Sequence, residues 1–515
     1  MGGQYNGRGL VPMRLHQLLR EAGLPAVHTS EHEITGITAD SRQVRPGMLF
    51  VAIPGFTRDG HEFVADAISR GAVAVAVERN VVLPDGISRI VVSSSREALA
   101  HLSSAFFRHP SRRLSVIGIT GTNGKGTTAY LIEAMLSLAG RPCGIIGTMG
   151  AKIGDTTIDL ERTTPEAPEL QRLLSEMVHD GMRYVAVEVA SHALALHRVT
   201  DMKFAAAVFT NLTQDHLDFH KTFDEYRATK GQLFGMVEPD GVSVVNADDP
   251  SGTAMAEASR ARVVTYGIAS NADVRARDVR LHLAGAEFRV ESPHGSATVR
   301  SRLHGRFNVY NSLAAITVAQ WAGVSLDGAV PTLESFAGVP GRFEAINQGQ
   351  PFGVVVDYAH TPDGLQNVLQ TAKDFVRGRT IVVFGCGGDR DRTKRPIMGE
   401  LAAQLADIAV VTSDNPRTEE PAAIIEEILA GVRGSGSGVR ESESRAQLEV
   451  EPDRRRAIYR AIALARPGDM VIIAGKGHEP YQEVNGVRHA FDDRQVAREA
   501  LQHVRIRSPE HRPAP

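Results

Sequence analysis

The run Gly118-Ile-Thr-Gly-Thr-Asn-Gly-Lys-Gly-Thr-Thr128 has the residue types that grip a polyphosphate. Glycines let backbone N–H groups close around phosphate oxygens, and a helix opening behind them adds partial positive charge. Gly121, Thr122, Asn123, Gly124, Lys125, Gly126 and Thr127 would form the cradle, with Lys125 reaching the terminal phosphates. The run departs from the usual P-loop pattern in two places. Position 119 is Ile where the first Gly of that pattern stands, and Gly126 follows the lysine in place of Ser or Thr. Thr127 or Thr128 must then supply the hydroxyl that holds Mg²⁺.

Other polar clusters also stand where apolar runs end. Glu188 closes Tyr184–Val189 and is followed by Ser191 and His192; His216 lies between Asp215 and Asp218 a few residues beyond Ala205–Phe209. Carboxylate and hydroxyl oxygens of this kind suit a hard cation such as Mg²⁺. Asp414-Asn-Pro-Arg417 follows Ile408–Val411, and Gly475-Lys-Gly-His-Glu479 follows Met470–Ile473. An arginine fork pairs well with a carboxylate or phosphate.

The elements that must position these groups are short Val- and Ile-rich runs alternating with helical patterns. Leu114–Ile119, Val242–Val245, Val354–Val356 and Ile381–Phe384 complete the set begun above. Leu131, Met135 and Leu138 recur at helical spacing after the phosphate loop. The pattern predicts an α/β fold with buried parallel strands, in which ligands bind beyond the carboxyl ends of the strands. Arg108–Arg113 and Val339–Arg342 read as linkers, Gly434–Gly438 as a flexible loop, and the tail from Ser508 as disordered.

Bulk properties narrow the function classes. A chain of 515 residues exceeds one core, which stops growing near about 250–300 residues, so two to four domains are expected. The net charge of −3 gives no strong field for nucleic acid or anionic membrane. Cys143 and Cys386 are far apart, which predicts neither a disulfide framework nor a cysteine metal site. The opening Met1–Val11 is Gly-rich without the apolar core of a signal, and no apolar run is long enough to span a bilayer. A cytoplasmic protein without membrane insertion is expected.

Thr120-Gly-Thr-Asn-Gly-Lys125 resembles the nucleotide loop of the Mur ligases and their folylpolyglutamate synthase relatives. Glu188–His192, Thr210–Asp218, Asn246–Asp249 and Gly305–Asn311 resemble the rest of the Mur central domain, and Asp357–Asp363 and Gly385–Arg390 its C-terminal domain. The resemblance runs in order from about Asp40 to Arg494. It implies three domains: a UDP-binding domain over 1–112, a central P-loop-like mononucleotide-binding parallel sheet over 113–340, and a Rossmann-like amino-acid-binding domain over 341–515. It also implies a monomer that uses ATP and Mg²⁺ to activate the D-Glu side-chain carboxylate of UDP-MurNAc-L-Ala-D-Glu as an acyl phosphate, which an amine then attacks.

The resemblance assigns roles residue by residue. Lys125, Glu188, His216 and Lys230 would be catalytic, with Thr127, Glu188, His216 and a carbamylated Lys230 around the metal. Asn308, Arg342, Asp357 and His360, with Tyr358 beside them, would complete the ATP site. Ser41, Phe56, Thr57 and Arg58 would contact UDP, while Arg162, Thr163, Thr164, Ser191 and Arg198 would face the peptide. Ala190 and Leu196 replace the Ser and Gln of many relatives, so hydrogen bonds expected there are missing. Asp414, Asn415, Pro416 and Arg417 resemble the motif of family members that add meso-diaminopimelate; Arg390, Gly475 and Glu479 would complete that site. Lysine lacks the second carboxylate of diaminopimelate and would leave Arg417 unpaired. Two rivals are a folylpolyglutamate synthase, opposed by Asp40–Ala52 and Asp414–Arg417, and a nucleotide-binding scaffold without turnover, opposed by the retained Lys125, Glu188, His216 and Lys230.

Overall fold

Runs of Val and Ile bounded by Gly, Asn, Asp or Ser favour buried strands with loops at their ends. A computed structural model describes residues 12–25, 31–56, 58–213, 219–282, 285–434 and 446–507. Thr57, Asp215, His216, Asp218, the tail from Ser508 and the Gly434–Gly438 segment beyond Gly434 lie outside the described residues. Each of the eight apolar runs forms a strand, with ends shifted by a few residues at most, save that Val242–Val245 is the core of a longer strand, Val237–Asn246.

Two compact units divide the chain: Met1–Arg275 with Ser292–Gly295 and Asn311–Ala329, and Ala276–Glu291 with Ser296–Tyr310 and Val330–Pro515. In the first unit, strands Ile37–Thr38, Leu49–Val51, Ala74–Val77 and Ser88–Val91 form a four-stranded parallel sheet in chain order. Helices Leu15–Glu21 and Ser95–Phe106 cover one face and Val64–Ser69 the other. A second parallel sheet places Ser115–Thr120 between Tyr184–Glu188 and Phe204–Phe209. Cys143–Gly147 pairs outside Tyr184–Glu188, and Val237–Asn246 and Arg262–Gly267 follow on the other side. Helix Lys125–Leu138 buries Leu131, Ile132, Met135 and Leu136. Leu138, expected on the same apolar face, is 73% exposed in the last turn, where the buried stripe has rotated away from it.

In the second unit a six-stranded sheet runs Glu344–Ala345, Gly353–Asp357, Met470–Ala474, Thr380–Phe384, Ile408–Val411, Gln447–Val450, parallel from Gly353–Asp357 onward. Helices Pro362–Lys373, Lys394–Leu405 and Pro421–Gly434 pack on one face, and Arg454–Leu464 and Asp493–Arg507 on the other. This is a doubly wound α/β arrangement, with Asp357, Gly385–Arg390, Asp414 and Gly475 at the carboxyl ends of its strands. Among the described residues no helix is long and apolar enough to cross a membrane. Cys143 and Cys386 are free and buried, and burial pushes the Cys386 thiol up to about 12.

The segments read as linkers are packed turns. Pro110–Arg112 forms a short 3-10 helix, and Ser111 Oγ accepts from the backbone N–H of Lys203 at 3.2 Å. Gly341 lies against Gly477 and His478 so closely that a β-carbon would overlap both. At Gly341 the glycine marks close backbone approach.

Candidate active site

The phosphate loop joins strand Ser115–Thr120 to helix Lys125–Leu138, as the sequence predicts. Gly121 (φ 148°) and Gly124 (φ 84°) adopt conformations that side chains rarely take, and a β-carbon on either would overlap Thr210 or Asn311. Thr210–Thr213, beyond the neighbouring strand Phe204–Phe209, stitches the loop down. Thr210 Oγ1 donates to the Asn123 carbonyl at 2.7 Å, the Asn123 N–H donates to Asn211 Oδ1 at 2.9 Å, and the Thr213 N–H donates to Thr122 Oγ1 at 3.0 Å. Asn311, which the assignment of Asn308 passed over, approaches Gly124 and accepts from Thr128 Oγ1 at 3.4 Å. Asn308 is buried and donates to the His304 carbonyl.

Two lysines converge on this loop. Lys125 Nζ donates to the carbonyls of Gly121 (3.0 Å) and Thr122 (2.8 Å). Lys230, on helix Phe223–Gly235, donates to the same Gly121 carbonyl at 2.9 Å and lies 4.6 Å above the Tyr226 ring. Lys230 is 1% exposed, which excludes a solvated surface lysine. Glu188 is buried at its strand end, where Oε1 accepts from the Thr148 N–H at 2.9 Å. A β-carbon on Gly126 would stand 3.3 Å from Glu188 Oε1, and one on Gly147 would overlap the carboxylate. At position 126 glycine leaves room beside this carboxylate that a side chain would crowd.

Several residues expected to face the peptide gather around Glu188. Thr164 Oγ1 donates to the Glu188 carbonyl at 2.7 Å and accepts from the Ala190 N–H at 3.1 Å. Thr163 and Thr148 share a hydroxyl contact at 3.1 Å. Arg198 is buried, donates to the Thr164 carbonyl at 3.1 Å and pairs with Glu166 at 2.9 Å, whereas Arg162 is exposed. Ser191 Oγ meets His220 Nε2 at 2.8 Å, both nearly fully buried. Phe56 is 77% exposed, edge-on to Phe219 at 6.0 Å, and Arg58 is exposed beside it. Ser41 opens a short 3-10 helix, and its hydroxyl helps hold the Asp66 carboxyl below the usual range.

In the second unit, Arg342 lies 4.8 Å over the Tyr358 ring. Asp357 accepts from the N–H groups of Phe343 (2.6 Å) and Ala359 (2.8 Å); burial raises its carboxyl against the pull of Arg342. His360 Nδ1 lies 2.7 Å from the Tyr358 carbonyl, and Lys394, which sequence reading missed, donates to the His360 carbonyl at 2.7 Å. Gly341 crosses Gly477, so the turn bearing Arg342 is fixed to the loop bearing Glu479.

The Asp414–Arg417 loop is buried except for Arg417, which is partly exposed. Asn415 Nδ2 donates to Glu479 Oε2 at 2.8 Å, and Lys476 Nζ donates to Asn415 Oδ1 at 2.9 Å and stands 3.3 Å from Glu479 Oε2. Lys476 is fully buried and was not foreseen as part of this site. Pro416 packs its carbonyl on Gly388, and Arg417 Nη1 donates to the Gly388 carbonyl at 2.7 Å. Arg390 is exposed, and its side chain and that of Arg417 both border Gly387. Beneath them the fully buried Arg454–Asp493 pair (2.6 Å) donates from Arg454 to the carbonyls of Ser413 and Ala474, joining the two motif-bearing strand ends. Among the described residues no three His, Cys, Asp or Glu side chains gather as a metal site. Glu188 and the Thr127 hydroxyl are nonetheless hard oxygen donors at the phosphate loop, the donor type that suits Mg²⁺.

Comparison with known proteins matches three family domains along the chain. Residues 33–107 match "Mur ligase family, catalytic domain", residues 119–319 "Mur ligase middle domain" and residues 341–477 "Mur ligase, glutamate ligase domain". A UDP-N-acetylmuramoyl-L-alanyl-D-glutamate–2,6-diaminopimelate ligase of Bacillus cereus is 44% identical, covering 95% of this chain and 98% of that protein. The protein of the same name from Gloeobacter violaceus is 46% identical, covering 96% and 99%. A solved structure of a ligase with that name superposes with a TM-score of 0.70 at 34% identity, over 96% of this chain and 100% of its own. A folylpolyglutamate synthase of Mycobacterium tuberculosis shares the fold at a TM-score of 0.57 and 17% identity. With its three domains matched in order and relatives alike over nearly their whole length, this chain belongs to the Mur ligase family.

Proposed function

We propose that this chain joins meso-2,6-diaminopimelate to the D-Glu side-chain carboxylate of UDP-MurNAc-L-Ala-D-Glu, with ATP as the second substrate. A carboxylate is a poor electrophile, so its oxygen first attacks the γ-phosphorus of ATP. The bond to the β-phosphate oxygen breaks, and ADP leaves with that electron pair. The amine of the incoming amino acid then attacks the acyl carbon, phosphate leaves, and the amine loses one proton.

The observation that carries this reading is the convergence of Lys125 and Lys230 on the Gly121 carbonyl, in a loop where Gly121 and Gly124 admit no β-carbon. Lys125 turns from those carbonyls toward the γ-phosphate. Gly121–Thr127 cradle the phosphates, and Asn308, Arg342, Asp357 and His360 complete the nucleotide site. Thr127, Glu188, His216 and a carbamylated Lys230 would hold Mg²⁺, which offsets charge on the phosphoryl oxygens when bound. Carbamylation turns the Lys230 cation into an oxygen ligand facing Lys125.

Ser41, Phe56, Thr57 and Arg58 hold UDP, and Thr163, Thr164, Ser191 and Arg198 align the peptide carboxylate. Arg390, Asp414–Arg417, Gly475 and Glu479 receive diaminopimelate. The enzyme works in the cytoplasm as a monomer, with domain boundaries near residues 112 and 340.

The test is ADP and phosphate release by the full chain with Mg²⁺, ATP, UDP-MurNAc-L-Ala-D-Glu and a panel of diamino acids. Release that requires both the peptide and diaminopimelate is the expected result. Turnover with the peptide and lysine in preference to diaminopimelate would overturn the role given to Arg417. Isotopically labelled carbon dioxide should enter the parent and not Lys230→Met.

A further inference from the structure

Arg417 sits at φ 52°, a left-handed conformation that a residue with a side chain adopts only when it is held there. The hairpin Tyr481–Val484 with Val487–Ala490 holds it. The Arg417 N–H donates to the Glu483 carbonyl at 3.0 Å, and the Asn485 N–H donates to the Arg417 carbonyl at 2.6 Å. The Glu483 N–H donates to Asn415 Oδ1 at 2.9 Å, and Gln482 Nε2 donates to the Asp414 carbonyl at 2.6 Å. This register also brings the Glu483 carboxylate to 3.6 Å from Arg417 Nε, with both side chains about one-fifth exposed (22% and 20%). A carboxylate arriving at Arg417 therefore meets one already in place.

We propose that Glu483 is a specificity-setting residue, an internal counter-ion to Arg417 that limits how strongly the site favours an amino acid with a second carboxylate. This rests on the reading of Arg417 as the group that receives that carboxylate. The ion pair orients the guanidinium while no amino acid is bound, and it opposes the incoming negative charge. Lysine brings no carboxylate to this position and does not meet that opposition. Replacing the Glu483 carboxylate with an amide removes the repulsion and keeps every backbone contact of the hairpin. One like charge about 6 Å away, at an effective dielectric constant of about 40–80, corresponds to a roughly three- to tenfold change in affinity.

The experiment compares the full-length parent with Glu483→Gln at saturating ATP and UDP-MurNAc-L-Ala-D-Glu, reading phosphate release against lysine and against diaminopimelate. The expected result is a three- to tenfold rise in the ratio of the lysine KM to the diaminopimelate KM, through a fall in the latter, with kcat little changed. Glu483→Asp, which keeps the charge, should restore the parental ratio; a general packing defect would not be rescued in this way. An unchanged or lower ratio in Glu483→Gln overturns the proposal. A parent that prefers lysine would overturn the reading of Arg417 on its own, and the shift between parent and variant would still decide the role of Glu483. Should neither protein turn over, calorimetric binding of each amino acid to the ADP-loaded chain gives the corresponding ratio of affinities, and the same shift decides for or against the proposal.

Discussion

Gly475→Ala should damage use of the incoming amino acid while leaving the other two substrates bound as before. Gly475 sits at φ 118°, and a β-carbon there would overlap Asp414 Oδ2. Heavy atoms normally stand about 3.5–4.0 Å apart, so one partner must move. The glycine has little freedom, because its N–H donates to the Asp357 carbonyl at 3.1 Å and the Arg454–Asp493 pair grips the preceding Ala474 carbonyl at 2.9 Å. Asp414 must therefore rotate away from Gly475 and out of the place proposed for the amino acid. Forcing a side-chain-bearing residue into such a conformation costs about 1–3 kcal/mol of folding stability. The displaced Asp414 carboxylate forfeits a charge-assisted hydrogen bond to the amino acid of about 2–3 kcal/mol, which is about 30- to 150-fold in kcat/KM for diaminopimelate. Phosphate release at varied diaminopimelate, ATP and UDP-peptide measures it, with a melting curve to confirm folding. A variant within threefold of the parent in kcat/KM for diaminopimelate, or one whose ATP KM rises as much, would refute the reasoning.

Further outcomes follow from the same contacts. Gly126→Ser restores the usual P-loop residue but places a β-carbon 3.3 Å from Glu188 Oε1; crowding of about 1 kcal/mol should raise the Mg²⁺ requirement about fivefold, read by metal titration of turnover. Lys476→Met removes the donor to Asn415 Oδ1 and leaves Glu479 without its cation, so the chain should lose about 2–3 kcal/mol of stability and most diaminopimelate-dependent turnover, checked by denaturant melts and phosphate release. Hydrogen bonds from Arg395, seconded by the Asp389 N–H, hold the Glu419 carboxyl at about 2, below its ordinary 4.5. A depressed carboxyl adds stability above its unfolded value and loses it as pH falls toward the folded one, so melting temperature should drop between pH 4.5 and 2 and drop less in Glu419→Gln.

Much of this arrangement was legible because its signals are local. Val- and Ile-rich runs ending in polar residues mark parallel strands, and all eight became strands. Glycines around Lys125 announced the phosphate loop, and the positive φ of Gly121 and Gly124 calls for glycine there. What escaped lies in long-range pairing. Lys476 looks like a solvated lysine until Asn415 and Glu479, far away or one turn on, are seen to enclose it. Its position between Gly475 and Gly477, both with positive φ, was the available hint. Arg454 belongs to Arg454-Arg-Arg456, which reads as an exposed basic run, yet it is buried on Asp493, 39 residues away. Strand Cys143–Gly147 was hidden because glycines interrupt its apolar pattern.

Charge placement explains why sequence and structure diverge at these positions. A buried carboxylate or ammonium is tolerated only with donors or a counter-ion close by, and backbone groups are the nearest supply. Glu188 takes the Thr148 N–H, Asp357 takes two N–H groups, and Lys125 and Lys230 share one carbonyl. Such contacts need the chain to pass close to the charge: a β-carbon at Gly147 would overlap the Glu188 carboxylate, one at Gly475 would overlap Asp414, and one at Gly126 would crowd Glu188. At position 126 glycine leaves room between the Glu188 carboxylate and the first turn of the phosphate-loop helix, where a β-carbon would stand 3.3 Å from Oε1. A reading by consensus scores that position as a defect, whereas a reading by available space scores it as part of the site.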